Sequence, residues 1–404
     1  MNAADTGFVL ISAALVMFMT PGLALFYAGL VRTKNVLGTV MQSFFMLALV
    51  SVLWAVVGYS LSFGTDIGGI IGGMNFAFLR GVGMEADGPV NNIPHLAFMI
   101  FQCMFAVITP ALITGAFAER MKFLSFVVFS ALWLFLVYSP MCHWVWGGGW
   151  MFAMGALDFA GGAVVHMSSG AAALAAALVL GPRRGYGKQS FIPHNLPMTL
   201  IGMGILWFGW FGFNAGSALG ANGLAANAFV TTHMATAAAC LGWLIVETIH
   251  AGRPTTLGAA SGALAGLVAI TPAAGFVTPM ASLAIGAAGG MICYGGVLMK
   301  NIFKYDDSLD VVGIHGLGGT WGALATGLFA CKAVNPAGAD GLFYGNPAQL
   351  GIQLVSVLAT WIFCFGMSWL LLKIVDIMFG LRVSSEDESR GLDVSQHSET
   401  GYQY

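Results

Sequence analysis

Eleven long apolar runs, set apart by short polar or glycine- and proline-bearing connections, divide this chain from end to end. They cover residues 7–31, 36–63, 94–117, 123–142, 159–181, 195–213, 224–250, 256–270, 280–300, 311–331 and 348–379. A helix needs about 20 apolar residues to cross the hydrocarbon core of a bilayer, and most of these runs reach that length. Only 8% of the 404 residues are charged while 58% are hydrophobic, and mean hydropathy is +0.84. A water-soluble fold of this size could not cover its surface with so few charges, because large contiguous apolar areas associate. The chain therefore reads as an all-α polytopic membrane protein with eleven transmembrane helices. The runs at 256–270 and 311–331 are rich in glycine and alanine, which suits close helix packing in lipid. No Lys or Arg lies between Met1 and Thr6, so the first run lacks the positive flank of a signal peptide and is taken as a true span.

The charges give the runs a direction. Counting from an outside N-terminus, the inside connections hold Arg32, Lys34, Arg120, Lys122, Arg183, Arg184, Lys188, Arg253, Lys300, Lys304, Lys373, Arg382 and Arg390. The outside connections hold only Arg80 and Lys332. Lys and Arg concentrate in cytoplasmic loops, so the N-terminus is expected outside and the C-terminus inside. A net charge of −2 with no basic patch implies no nucleic-acid partner. Six cysteines scattered through apolar stretches, with no C-x-x-C, indicate neither a zinc site nor a disulfide framework. They read as small buried apolar residues. The aqueous segments carry no nucleophile–base pair, no metal-spaced cluster and no phosphate loop. No enzyme activity and no cofactor are expected.

Two stretches look related across the chain. Leu157-Asp158-Phe159-Ala160-Gly161-Gly162 opens the fifth run and leads to His166; Leu309-Asp310-Val311-Val312-Gly313-Ile314 opens the tenth and leads to His315. They open spans that are five apart in order, so equivalent helices would enter the membrane from opposite faces. That is the pattern of an inverted pseudo-twofold repeat relating spans 1–5 (about 7–181) to spans 6–10 (about 195–331), whose interface near the midplane is where transporters place their site.

Ionisable groups inside a span are costly and are functional candidates by default. A lone buried histidine is commonly a satisfied core residue. A pair at matching places in two repeats reads instead as functional: facing imidazoles share a proton and line an apolar path with a hydrogen-bonding track. Asp158, eight residues before His166, fits an N-cap and equally a source of negative potential beneath a cation site. Asp310, five residues before His315, reads as the cap of the tenth helix. Aromatics cluster on the outer side: His143-Trp144-Val145-Trp146-Gly147-Gly148-Gly149-Trp150, Phe101-Gln102-Cys103-Met104-Phe105 and Trp210-Phe211-Gly212-Phe213-Asn214-Ala215-Gly216-Ser217. Tryptophans there suit an interfacial belt. They also suit a cation site, since an aromatic face attracts a small cation by about 0.5–2 kcal/mol. A membrane haem protein, with His166 and His315 as axial ligands, is a rival use of the pair.

At these residues the sequence resembles the ammonium transporter family (Amt/Mep/Rh), of the prokaryotic Amt type. The matching stretches are Phe26-Tyr27-Ala28-Gly29-Leu30-Val31-Arg32, Ala156-Leu157-Asp158-Phe159-Ala160-Gly161-Gly162, Trp210 to Ser217, Gly380-Leu381-Arg382-Val383 and Gly391-Leu392-Asp393-Val394-Ser395-Gln396-His397. They run in order from the first helix to the tail. The resemblance implies a homotrimer in the cell membrane, each subunit with its own pore within residues 1–380. It implies that Trp146, Phe105 and Ser217 bind ammonium outside, supported by Asp158. Phe105 and Phe213 would form the gate below, and His166 and His315 would line the pore. Residues 381–404 would be a cytoplasmic regulatory tail that contacts a PII-type signalling protein. The implied activity is ammonium transport by deprotonation and ammonia conduction, with separate, electrogenic proton passage. An ammonium sensor acting through PII, or a passive ammonia or carbon dioxide channel, would share most of these residues.

Overall fold

The computed structural model describes residues 1–403. Eleven long helices dominate them. In order they are α1 (Ala3–Leu30), α2 (Thr33–Phe63), α3 (His95–Phe117), α4 (Phe123–Met154), α5 (Gly162–Leu180), α6 (Leu196–Gly216), α7 (Gly223–Ala251), α8 (Thr256–Ile270), α9 (Pro279–Phe303), α10 (Val312–Gly316 continuing into Leu317–Phe329) and α11 (Pro347–Phe379). The chain is thus an all-helical, multi-pass membrane protein. Nine of the helices are long and apolar enough to cross a bilayer, and α8 is a shorter apolar helix. Glycine-rich α10, which carries His315, is not among the nine. Several boundaries differ from the sequence expectation by three residues or more. Among them, the first helix starts at Ala3 rather than 7, the fourth continues past 142 to Trp146 with a further turn at Trp150–Met154, the fifth starts at Gly162 rather than 159, and the sixth ends at Gly216 rather than 213. A small antiparallel pair, Asp66–Ile67 with Ile71–Gly72, lies in the connection from α2 to α3.

Helices without a charged surface need another way to come close, and here it is the missing side chain. A Cβ on Gly202 of α6 would land on the Phe26 backbone of α1, and one on Gly286 of α9 would land on the Ala235 carbonyl of α7. Dispersion contacts between backbones replace the hydrophobic drive that lipid does not supply. At the centre, α3 is buried along almost its whole length, with α1, α2 and α5 against it.

The basic residues expected inside converge at one end of the bundle. Glu119, 2% exposed after α3, accepts from the Arg32 N–H (2.8 Å) and Nη2 (2.8 Å) and meets Arg183 Nη1 at 3.4 Å. Arg183 also pairs with Asp306 at 2.8 Å, and the buried Arg120 donates to the Asp306 carbonyl at 2.6 Å. The Phe191 ring lies against the guanidinium groups of both Arg32 and Arg183. The tail docks on this same end through two short helices, α12 (Ser385–Arg390) and α13 (Leu392–His397). Its acidic composition reads as solvated, yet Glu388 is buried, pairing with Arg382 at 2.8 Å and accepting from the Arg184 N–H at 2.6 Å. Asp393 accepts from the Gly38 N–H at 2.8 Å, so a tail carboxylate caps the start of α2. Glu386 and Glu399 remain exposed.

Burial pushes the Glu119 carboxyl up, but the Arg32 hydrogen bonds and the Arg183 charge outweigh it and hold the group below the ordinary carboxylate range. Its stabilising contribution is therefore present above the unfolded-state carboxylate pKa and is lost only as pH falls through the lowered value. Glu119→Gln leaves the buried Arg183 and the half-buried Arg32 short of their counter-charge, which costs about 3–5 kcal/mol. Thermal unfolding of the purified protein in detergent should show a large drop for this variant at neutral pH. The difference from the unaltered protein should shrink only in acid.

Candidate functional site

Three residues singled out in the sequence share one cavity. It measures about 280 Å³ at the end of the bundle opposite the basic network, and Phe105, Trp146 and Ser217 line it together with Phe98, Gln102 and Phe159. The Ser217 hydroxyl donates to the Phe213 carbonyl at 2.9 Å, which leaves its oxygen lone pairs available to accept. Gln102 Oε1, buried in the same wall, has no hydrogen-bond partner among the described residues. The cavity therefore offers aromatic faces and neutral oxygen acceptors but no charged side chain, a setting that suits a small cation able to donate hydrogen bonds. The neighbouring tryptophans do other work. Trp144 donates to the Ile70 carbonyl and packs on Phe363 and Trp150, away from the cavity lining.

Below the cavity a ladder of rings begins. Phe105 meets Trp146 edge-on at 5.9 Å and lies against Phe213 with centroids 4.2 Å apart. Phe213 stacks on His166 at 6.0 Å, His166 stacks on Trp210 at 5.4 Å, and His315 follows with Nδ1 3.2 Å from His166 Nδ1. Phe105, Phe213, His166 and His315 are each at most 1% exposed. The sequence expectation of a facing histidine pair is met. The direct nitrogen–nitrogen contact leaves no space for a haem iron between the rings, which removes that rival.

Local backbone geometry explains the pair. Both histidines sit in wide, π-helical turns, Gly162–Met167 and Val312–Gly316, of the kind that recurs at functional sites. The two helices cross where Gly170 faces Gly316: a Cβ on Gly170 would land on the Gly316 Cα. No other residue type allows that approach. Asp158 closes the start of α5, where its two carboxylate oxygens accept from the N–H groups of Gly161 (2.9 Å), Gly162 (2.6 Å), Ala163 (2.8 Å) and Val164 (3.4 Å). Capping is thus its geometric role, and it does not line the cavity directly. Its backbone carbonyl accepts from Trp146 Nε1 at 2.9 Å, so the strap that carries the cap also orients the cavity tryptophan.

The tenth helix needs a correction. Asp310 does not cap it. Its φ is +65° and its carboxylate is bound to Lys300. The cap is Asp307, whose Oδ2 accepts from the Val312 N–H at 2.7 Å. Asp307 lies eight residues before His315, the same spacing as Asp158 to His166. The alignment of Leu157-Asp158 with Leu309-Asp310 therefore pairs the wrong carboxylates. Burial, with Asp310 nearby, pushes the Asp307 carboxyl up to about 6, and its Oδ1 has no hydrogen-bond partner among the described residues.

Two further residues carry the site without any signal in the sequence. Gln353 of α11, 1% exposed, accepts from the Leu157 N–H (2.8 Å) and donates to the carbonyls of Leu157 (2.8 Å) and Ala323 (3.0 Å). It pins the Asp158 strap to α10 and α11. Thr271, at the end of α8, meets both Trp210 Nε1 (2.9 Å) and His166 Nε2 (3.3 Å). A single amide or hydroxyl in an apolar run reads as a packing residue until its partners are seen. Other histidines are engaged elsewhere, as their positions near span ends suggest: His95 with Tyr59, His143 with Ser62 and Asp66, His194 with Val31 and Tyr402, and His250 with Tyr294.

Comparison with known proteins gives a consistent result. Residues 7–402 match the model of the Ammonium Transporter Family. An ammonium transporter of Bacillus subtilis (strain 168) is 54% identical over 404 residues, covering 100% of this chain and 99% of that protein. The ammonium transporter Amt1 of Archaeoglobus fulgidus is 50% identical over 402 residues, with both chains fully covered. Among solved structures, Mep2 of Saccharomyces cerevisiae superposes with a TM-score of 0.90 at 35% identity, over 96% of this chain and 88% of that one. A structure described as a sensor Amt protein gives 0.89 at 30% identity, over 98% of each chain.

The Gln353 clamp yields a direct expectation. Gln353→Leu strands the Leu157 N–H and carbonyl, a loss of about 1–3 kcal/mol, and frees the strap that orients Trp146. Substrate uptake by cells carrying this variant should need a several-fold higher concentration for half-saturation. An unchanged half-saturation point would mean that the strap holds itself.

Proposed function

The chain belongs to the ammonium transporter family, and from that premise we propose that it recruits the ammonium ion at the outer cavity, removes its proton and conducts ammonia past the ring ladder and twin histidines. The family is one of transporters rather than enzymes. The single observation that carries this reading is the unbroken run of rings from Trp146 through Phe105 and Phe213 to His166 and His315.

Ammonium and potassium are alike in charge and close in size, so selection must use what differs: ammonium donates directed hydrogen bonds and can lose a proton. Trp146 and Phe105 face the cation, while Ser217 Oγ accepts one of its N–H groups. Asp158 supports the site from behind, through Trp146 and the start of α5. Below, an apolar passage penalises a full charge by several kcal/mol or more. Desolvation lowers the pKa of an ammonium group, so the proton leaves at the entrance. The neutral molecule then passes Phe105 and Phe213, which move apart as the gate. Potassium has no neutral form and stays outside. The proton travels separately, along His166 and His315 or along a polar wire, which makes transport electrogenic and lets an inside-negative membrane potential drive accumulation.

The remaining architecture follows from the same membership. All eleven helices cross the plasma membrane, with the N-terminus outside and the basic end of the bundle in the cytoplasm. Spans 1–5 and 6–10 are an inverted repeat. The matched carboxylate-to-histidine spacing, Asp158 to His166 and Asp307 to His315, supports that relation. Three copies assemble, each with its own path. Residues 381–404 are the regulatory segment, and their docking on α2 beside Arg184 and Arg382 suits contact with a cytoplasmic PII-type protein. A sensor that binds ammonium and signals through this tail is the second reading, favoured by the equally close fold match to a sensor Amt protein.

Ammonium pulses on a solid-supported membrane carrying the purified protein test the mechanism. Charge movement that accompanies uptake is expected. Uptake without current would leave a net ammonia flux, and binding without uptake would favour the sensor. Truncation after Val383 should leave the path intact while changing activity or PII binding. If both match the full-length chain, the tail has no such role.

A further inference from the structure

Two imidazoles in contact through their Nδ1 atoms share one proton there, and three placements of the outer protons remain open for a neutral or charged pair. For a neutral pair, the hydrogen bonds around Thr271 close that choice. Its hydroxyl is buried and lies 2.7 Å from the Leu267 carbonyl one turn earlier in α8. A carbonyl oxygen only accepts, so the single Thr271 hydrogen is committed there. Trp210 Nε1 only donates, and at 2.9 Å it takes one of the two lone pairs on Thr271 Oγ1. The other lone pair faces His166 Nε2 at 3.3 Å. Nothing on Thr271 is left to donate, so this contact is a hydrogen bond only if His166 carries its proton on Nε2.

The rest follows along the pair. A neutral His166 protonated on Nε2 has a bare Nδ1, which must accept at 3.2 Å from a proton on His315 Nδ1. A neutral His315 protonated on Nδ1 then has a bare Nε2. That nitrogen makes no hydrogen bond to any described residue. We propose that Thr271 is a positioning residue that fixes the tautomers of both histidines, leaving His315 Nε2 as the one open nitrogen of the pair and a pure acceptor for an N–H-bearing permeant.

The chemistry this selects is specific. The open nitrogen accepts an N–H from ammonia or a primary amine and offers nothing to a species that needs a donor, such as a carbonyl compound. The reverse tautomer would turn the same position into a donor, which ammonia can meet only with its single lone pair rather than with any of three N–H groups. Thr271 thus acts from outside the path, through His166, on the polarity that the path presents. Loss of one ordinary hydrogen bond corresponds to a shift of about tenfold between tautomers. This inference rests on the reading of the histidines as pore-lining only for its transport consequence; the tautomers themselves are set by contacts already described.

Solid-state NMR of the full-length protein in lipid, with 15N-labelled histidine rings and His166 and His315 assigned by their Gln variants, reads each nitrogen directly. The expected pattern is protonated Nε2 and bare Nδ1 on His166, with protonated Nδ1 and bare Nε2 on His315. Thr271→Ser should keep it. Thr271→Val, which cannot accept, should admit the reversed pair and lower ammonium uptake several-fold. A bare His166 Nε2 in the unaltered protein overturns the proposal, whether or not the valine variant folds. So does a Thr271→Val spectrum identical to the parent. If the tautomers are as assigned but Thr271→Val transports normally, the pair does not face the permeant, and the pore-lining reading fails while the tautomer assignment stands.

Discussion

The contact between the Phe105 and Phe213 rings, with centroids 4.2 Å apart, is the constraint on which the rest of this structure depends. It separates a cavity with aromatic walls and oxygen acceptors from a passage that holds two imidazoles and no charged partner. A hydrated cation cannot pass between touching rings. A partly dehydrated one would meet hydrocarbon and the edges of neutral rings, where a full charge is far costlier than in water. In the proposed mechanism the energetic problem of moving ammonium is thus placed at one plane, and the groups proposed to solve it lie immediately above and below.

Keeping those groups in place consumes most of the polar chemistry inside the bundle. Asp158 spends both carboxylate oxygens on the first N–H groups of α5 and its carbonyl on Trp146. Gln353 spends its amide on the strap that carries Asp158 and on the Ala323 carbonyl of α10. Thr271 is saturated by Leu267, Trp210 and His166. In an apolar medium an unpaired polar group costs several kcal/mol; these three side chains are fully matched, while Gln102 Oε1, which has no partner among the described residues, lies in the cavity wall. The glycine contact between α5 and α10 completes the arrangement by letting two helices approach closely enough for imidazoles to touch.

Much of this was legible in the sequence because lipid permits so few alternatives. Runs of apolar residues must be helices, and their number and order emerged correctly. An intramembrane histidine pair stood out because ionisable residues there are rare. Trp146, Phe105 and Ser217 could be grouped only by resemblance, since three distant stretches meet at the cavity. What stayed hidden was hydrogen-bond partnership. Asp310 looked like the cap of α10 because it lies next to the helix, but a left-handed residue and an ion pair to Lys300 turn it away, and Asp307 reaches back instead. The π-helical turns leave no periodicity signal, so the true start of α5 was misjudged by a few residues. Glu388 looked solvated with the rest of the acidic tail because one of its partners, the Arg184 N–H, is remote in sequence.

The central claim is that the permeating ion gives up its charge before it reaches the touching rings. Equal pulses of ammonium and potassium, applied to proteoliposomes held at the same inside-negative potential, address it most directly. The account requires potassium to leave the interior unchanged at every concentration that saturates ammonium entry. Steady potassium accumulation through the unaltered protein, at a rate approaching that of ammonium, would mean that an intact cation passes the ring contact, and the account would be wrong.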